Sequence, residues 1–272
     1  MDNNLPEAYV DLEAEADYIT NFLDPKYDLE ERPIPKISGD FLTPYEEIKK
    51  KLIQYVNNLT YFHINAGSIP KHYDEIVRLL SILGVDILGV SETFICEKTP
   101  KMLYEIPGYT FIHRDRTMKS RGGTGLYIKN GLEFKEIKIS ENIIQPEMCF
   151  AEIKCQFAKV VVGVIYKSPL ISYTEYSVLT EVLPPIITGY DHHIIMGDFN
   201  VNQLKPDSSA CKFFREHVLE PFDLTQLVTE PTRVTKSTTS LIDYLLVSYP
   251  ENVKVAGVAD IPGIADHHLV FL

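Results

Sequence analysis

From residue 61 onward, short apolar runs alternate with stretches of helical spacing. Tyr61-Phe62-His63-Ile64-Asn65 reads as a strand over 61–65. Ile76, Val77, Leu79, Leu80 and Leu83 recur near the 3.6-residue period, so a helix is expected over 73–83. A second strand is expected at 86–91. Further strand-like runs lie at 109–113, 124–129, 132–139, 148–155 and 159–166. The last two are joined by Gln156-Phe157-Ala158, which predicts a hairpin. A helix is expected over 173–187, a strand over 192–197 and a helix over 208–219, with closing strands near 241–247, 252–258 and 268–272. Hairpins mixed with crossovers predict an α/β fold of two packed sheets with outer helices. Thr43-Pro44-Tyr45-Glu46 resembles a capping box with Pro at the first helical position, opening a helix toward Val56. The globular domain is therefore expected over 41–272, after an acidic extension at 1–40 interrupted by Pro25, Pro33 and Pro35.

The apolar runs end in polar clusters. These are His63-Ile64-Asn65, Ser91-Glu92-Thr93, Gly197-Asp198-Phe199-Asn200, Leu241-Ile242-Asp243-Tyr244 and Asp266-His267. Strand ends are where α/β folds gather their chemistry, because the sheet fixes geometry while the loops face solvent. Carboxylates, asparagines and a histidine in such places suit a hard divalent cation beside an acid/base group, a set fitted to phosphodiester cleavage. Each cluster also has a plain structural explanation. Glu92 suits a helix N-cap or a loop, Asn65 suits a turn, and Gly, Asp and Asn are all turn formers. Asp198 and Asn200 would project the same way if strand geometry persists through Phe199. Asp243 inside an apolar run needs a partner, and His267 is a natural one.

Charge and composition alter this picture only in part. The 272 residues carry a formal net charge of −12, of which residues 1–60 hold −7 (13 acidic against 6 basic). A generic nucleic-acid binder usually has a basic face, so the balance weighs against one without excluding local basic patches. No apolar stretch reaches the roughly 18–20 residues of a membrane span. The N-terminus has no basic-then-apolar signal pattern, and an intracellular protein is expected. Cys96, Cys149, Cys155 and Cys211 show no CxxC spacing and are expected to be free thiols.

Taken in order, the motifs resemble the endonuclease/exonuclease/phosphatase superfamily. Within it they are most similar to the apurinic-type endonuclease domain of non-LTR (LINE-like, Jockey-like) retrotransposons. The residues that carry the likeness are His63-Ile64-Asn65, Asp86 to Thr93, Gly108-Tyr109, His113-Arg114-Asp115-Arg116 with Gly122-Gly123, Val164-Ile165-Tyr166, Gly197 to Asn200, Pro231-Thr232-Arg233, Ile242-Asp243-Tyr244 and Asp266-His267. The resemblance implies a four-layered sandwich of two packed mixed β-sheets flanked by helices, with the site at one edge of the facing sheets. It implies that Glu92 binds Mg²⁺, for which Mn²⁺ would substitute, with Asn65 and Asp266 near it. Asp198 and Asn200 would orient water and hold the phosphate, and Tyr166 would contact the phosphate or leaving oxygen. His267, oriented by Asp243, would bond a phosphate oxygen or transfer a proton. Either Asp198 or His267 could be the general base. Arg114, Arg116, Thr232 and Arg233 are candidate substrate contacts. The pattern departs from the family in lacking an Asn after Tyr166, and in having Ala265 where Ser is frequent and Phe94 where Trp is.

Three functions follow as expectations. The first is a Mg²⁺-dependent endonuclease that nicks one DNA strand in the nucleus, its 3′-hydroxyl priming a reverse transcriptase domain of the same element. The second is a phosphatase acting on a small molecule or lipid headgroup. The third is a domesticated, non-catalytic binding copy.

Overall fold

The computed structural model describes residues 43–115, 121–156 and 158–272. The expectations for residues 1–40 and for Arg116 fall outside this set, as does Phe157 of the hairpin link. Fourteen strands run in chain order among the described residues: β1 (Tyr61–Asn65), β2 (Ile87–Ser91), β3 (Tyr109–Arg114), β4 (Thr124–Lys129), β5 (Phe134–Ile137), β6 (Glu147–Lys154), β7 (Lys159–Tyr166), β8 (His192–Asp198), β9 (Thr225–Gln226), β10 (Arg233–Val234), β11 (Thr239–Ser240), β12 (Asp243–Val247), β13 (Gly257–Ala259) and β14 (Leu269–Phe271). They form two six-stranded sheets, ordered β13-β14-β1-β2-β4-β3 and β5-β6-β7-β8-β12-β9, and a small β10–β11 pair.

Each large sheet has one parallel pair at its centre, β1 with β2 and β7 with β8, and antiparallel neighbours outside. A parallel pair requires a crossover, and helices provide both. Between β1 and β2 runs α2 (Tyr73–Leu83); between β7 and β8 runs α3 (Leu179–Ile187). With α1 (Thr43–Leu52), α2 covers the outer face of the first sheet. Tyr45, Ile48, Ile76, Leu79 and Leu80 pack there on Phe62, Ile64, Leu88, Val90 and Tyr127. With α4 (Ser209–Phe214), α3 lies in the larger cluster that holds the second sheet. The result is a four-layered sandwich.

Side chains alternate across a strand, so Tyr61, His63 and Asn65 of β1 face away from Phe62 and Ile64 and toward the second sheet. Gly89 of β2 shares that inner face. A Cβ there would stand 2.7 Å from Met196 Sδ of β8, so the sheets approach closely only because position 89 has no side chain. Apart from His63, the inner layer is mostly apolar until the last inward positions of the strands. There, Asn65 lies opposite Ser91, Tyr166 opposite Asp198, and Asp243 opposite Asp198.

Several elements differ from the sequence expectation. The helix over 173–187 is a 3₁₀ turn (Tyr173–Val178) followed by α3, which carries Pro184 and Pro185. Two residues without an N–H leave α3 short. The helix over 208–219 becomes π-helical from Arg215. The strand near 252–258 contracts to the three residues of β13 after a 3₁₀ turn at Pro250–Asn252. Two-residue strands β9, β10 and β11 are too short to leave a periodic signal.

Gly197 is the backbone position on which the β7–β8 pairing rests. Its φ is 152°, and a Cβ there would stand 1.8 Å from the Ile165 carbonyl oxygen. Gly197→Ala is expected to destabilise the domain by about 3 kcal/mol or more, because backbone must move. Thermal denaturation checks this, and an unchanged melting temperature would contradict it.

Candidate active site

Three strand ends supply the acidic centre. The β8–β12 register sets Asp198 directly opposite Asp243, and both are essentially without solvent exposure. Asn65 at the end of β1 reaches across the layer and donates from Nδ2 to Asp198 Oδ2 (2.9 Å) and to Glu92 Oε1 (3.1 Å). Tyr166 Oη donates to the same Glu92 oxygen at 2.9 Å. Both bonds fall on Oε1, leaving Oε2 of the half-buried Glu92 for another partner. Asp198 Oδ1 accepts from Asn200 N at 3.0 Å.

On the other side of the pair, His267 Nδ1 bonds Asp243 Oδ2 at 2.9 Å. Thr232 positions both partners. Its hydroxyl accepts from the N–H groups of Ile242 (3.1 Å) and Asp243 (3.0 Å), and its carbonyl accepts from His268 N (2.6 Å). Arg233 bridges to His267 in antiparallel register, and its Nε donates to Asp266 Oδ2 at 2.8 Å.

The electrostatics follow from burial. Desolvation pushes the Asp198 carboxyl up to about 7, and the charge of Asp243 adds to this, while His267 and the Asn65 hydrogen bond oppose it. Burial alone would lower the His267 imidazole, but the attraction and hydrogen bond of Asp243 outweigh it and raise the pKa to about 9. Burial holds His63 down to about 4 despite Asp243. At neutral pH the centre therefore has a cationic His267 between two acids.

Backbone strain collects at the same edge. Glu92, Phe94, Asn200 and Ala265 have φ of 51°, 52°, 49° and 44°. Side-chain-bearing residues enter this left-handed region at a cost of about 1 kcal/mol or more each, so surrounding structure must hold them. Beneath Asn200, the Phe199 ring stacks on Tyr244 (4.9 Å, 13°) and meets Phe214 edge-on (5.1 Å), while Tyr176 Oη donates to the Phe199 carbonyl.

Residues 62–267 match the sequence profile of the endonuclease/exonuclease/phosphatase family. The chain belongs to this family. The endonuclease domain of TRAS1, a telomere-specific non-LTR retrotransposon, has a similar fold: TM-score 0.63 and 12% identity over 78% of this chain and 96% of that one. So do an AP endonuclease from Archaeoglobus fulgidus (0.59, 16%, 79% and 98%) and a mannosyl-6-phosphatase from Bacteroides thetaiotaomicron (0.56, 15%, 79% and 98%). No curated protein matches the chain in sequence. Members of the endonuclease/exonuclease/phosphatase family are hydrolases of phosphoester bonds that depend on a divalent metal.

The donor chemistry here fits such an ion. Asp198 and Asp243 offer carboxylate oxygens within 4.8 Å of each other, with the cationic His267 beside them as a hydrogen-bond donor and not a ligand. Glu92 beside Asn65 adds a second set of oxygen donors. Hard oxygen ligands suit Mg²⁺ or a similar cation.

The structure brings Asn65, Glu92, Tyr166, Asp198, Asn200, Asp243 and His267 to one edge, linked by the bonds above. Asp266 is 44% exposed and paired to Arg233, with Oδ1 3.9 Å from His267 Nε2. Strand geometry ends at Asp198, and Asn200, left-handed at φ 49°, donates from Nδ2 to the Lys167 carbonyl (2.8 Å). Thr232, expected to touch substrate, is fully buried, and its hydroxyl serves the backbone of Asp243 instead. Arg114 likewise braces the 140–143 loop through the Ser140 and Ile143 carbonyls. Arg233 is 41% exposed at the rim.

Two residues outside the expected set join the network. His63 Nε2 lies 2.6 Å from Ser91 Oγ, and Lys167 is buried with Nζ on the Ser168 and Ile171 carbonyls. Their signal was their place: His63 two residues before Asn65 on one strand face, Lys167 directly after Tyr166.

A buried acid whose pKa is raised on folding destabilises the fold above its unfolded value, and the penalty is complete above the folded one. Asp198→Asn is therefore expected to raise the melting temperature at pH 8, by a gain on the order of a few kcal/mol, with the advantage shrinking as pH falls from 7 toward 4. Thermal melts in the presence of a chelator check this. A variant less stable than wild type at pH 8 would contradict it.

Proposed function

We propose that this chain is a Mg²⁺-dependent phosphodiesterase that nicks one strand of DNA. The observation that carries the reading is the buried Asp198–Asp243–His267 unit, linked through Asn65 to Glu92 and Tyr166 at the common edge of both sheets. Support for DNA as substrate comes from the retroelement-like motif order and from the likeness to the TRAS1 endonuclease domain.

Glu92 and Asn65 would hold Mg²⁺, and a bound Mg²⁺ would neutralise charge developing on the scissile phosphate. His267 is tied at Nδ1 to Asp243, so Nε2–H is the group left to donate to a phosphate oxygen. Asp198, held by the Asn200 amide and by Asn65, would accept a proton from the attacking water. Tyr166 Oη would turn from Glu92 toward the phosphate or leaving oxygen. Arg233 at the rim would meet a neighbouring backbone phosphate, with Asp266 keeping it oriented. In a retroelement setting the exposed 3′-hydroxyl would prime a reverse transcriptase domain of the same element in the nucleus. No helix among the described residues is long and apolar enough to cross a membrane.

A second reading, a phosphatase for a small molecule or lipid headgroup, is favoured by the net charge of −12, which repels a polyanion.

Supercoiled plasmid incubated with the full chain and Mg²⁺ is expected to give relaxed circles, and a chelator should stop the reaction. Glu92→Gln should keep the fold and lower nicking by at least about 10²-fold, since it removes the main charge on the cation. Release of phosphate from small phosphomonoesters with the plasmid left intact would favour the phosphatase. Undiminished nicking by Glu92→Gln would remove Glu92 from the mechanism.

A further inference from the structure

Asp243 has a second imidazole on its far side. His63 Nδ1 is 3.8 Å from Asp243 Oδ1, and both side chains are fully buried. Neither atom has a hydrogen-bond partner among the described residues, although the opposite ends of both groups are bonded: His63 Nε2 to Ser91 Oγ at 2.6 Å, and Asp243 Oδ2 to His267 Nδ1 at 2.9 Å. Buried polar atoms are rarely left unpaired, and two that face each other are each other's natural partners.

We infer that His63 is a positioning residue that holds Asp243 from behind, through an Nδ1–H directed at Oδ1, with Ser91 as the donor that fixes this tautomer. A neutral imidazole carries one ring proton. Were it on Nε2, the Nδ1 lone pair would face a carboxylate oxygen at a contact buried from solvent on both sides, which is repulsive. With the proton on Nδ1 that contact becomes attractive, and Nε2 becomes the acceptor for the Ser91 hydroxyl. The polar contacts then converge on Asp243: Ser91 Oγ–H donates to His63, the His63 Nδ1–H is directed at one carboxylate oxygen across 3.8 Å, and His267 donates to the other. The carboxylate is gripped at both oxygens, with Thr232 Oγ1 accepting from its own backbone N–H. Rotation of Asp243 about its Cβ–Cγ bond, which would swing His267 off the phosphate, is blocked. Outer residues that orient a working group in this way are commonly worth about 10–100-fold in activity.

The role in catalysis rests on the proposed nuclease reading, but the tautomer does not. Two-bond ¹H–¹⁵N correlation spectra of the ¹⁵N-histidine-labelled full chain at neutral pH, with His63 assigned by its loss in His63→Gln, read the ring directly. A pyrrole-type Nδ1 and a pyridine-type Nε2 are expected; a pyridine-type Nδ1 would overturn the inference whether or not the protein cuts DNA. In nicking assays, Ser91→Ala and His63→Phe should each lower kcat about tenfold or more with KM unchanged. His63→Gln, whose amide can still donate to Asp243, should recover most of the loss. Wild-type kcat in both Ser91→Ala and His63→Phe, or a loss confined to KM, would overturn the positioning role. A His63→Phe chain that failed to fold would leave the wild-type spectrum and Ser91→Ala as the deciding measurements.

Discussion

Two carboxyl groups face each other across neighbouring strands, buried from solvent. Asp198 and Asp243 are partners in the β8–β12 register, and like charges so placed cannot both ionise without nearby compensation. Much of the surrounding structure answers that demand. His267 supplies the cation, Asn65 and the Asn200 amide supply hydrogen bonds to Asp198, and Thr232 organises the backbone behind Asp243. Such a pair is unfavourable for folding and useful for chemistry. It keeps one acid near its neutral-pH transition and leaves oxygen atoms that a divalent ion or a water can use.

The architecture explains how this is held. Each sheet has a single central parallel pair, and parallel strands end together. β1 and β2 thus bring Asn65, Ser91 and the following Glu92 to one edge, while β7 and β8 bring Tyr166 and Asp198 to the same edge of the second sheet. Close approach of the layers at Gly89 and Met196 lets Asn65 reach Asp198 directly. Left-handed Glu92, Asn200 and Ala265 then turn the chain sharply just past the strands. Phe199 stacked on Tyr244, with Phe214 edge-on to both, forms the apolar floor that offsets the strain at Asn200.

Much of this was legible along the chain, for physical reasons that vary with position. Long apolar runs such as 159–166 and the helical spacing of Ile76, Leu79 and Leu80 announce themselves, because burial demands them. Asp243 was conspicuous as an acid inside an apolar strand. What pattern could not show is which group answers which. Thr232 looks like a surface loop residue but is buried beneath Asp243, and Arg114 looks like a phosphate ligand but braces a loop. Asn200 itself takes the left-handed conformation, which ends the alternation just past Asp198 and directs its amide to the Lys167 carbonyl. His63 was hidden for the opposite reason: within Tyr61 to Ile64 it occupies a core position, and only the partner strands reveal its polar neighbours.

The proposed chemistry requires Asp243 and His267 to act as one unit. A double-mutant cycle of Asp243→Asn and His267→Ala on single-turnover plasmid nicking tests this. His267→Ala should lower the rate by about 10²–10⁴-fold and Asp243→Asn by less, with the double variant little worse than His267→Ala alone. Losses that simply add would mean that the two residues act independently, and the centre described here would not be the working one.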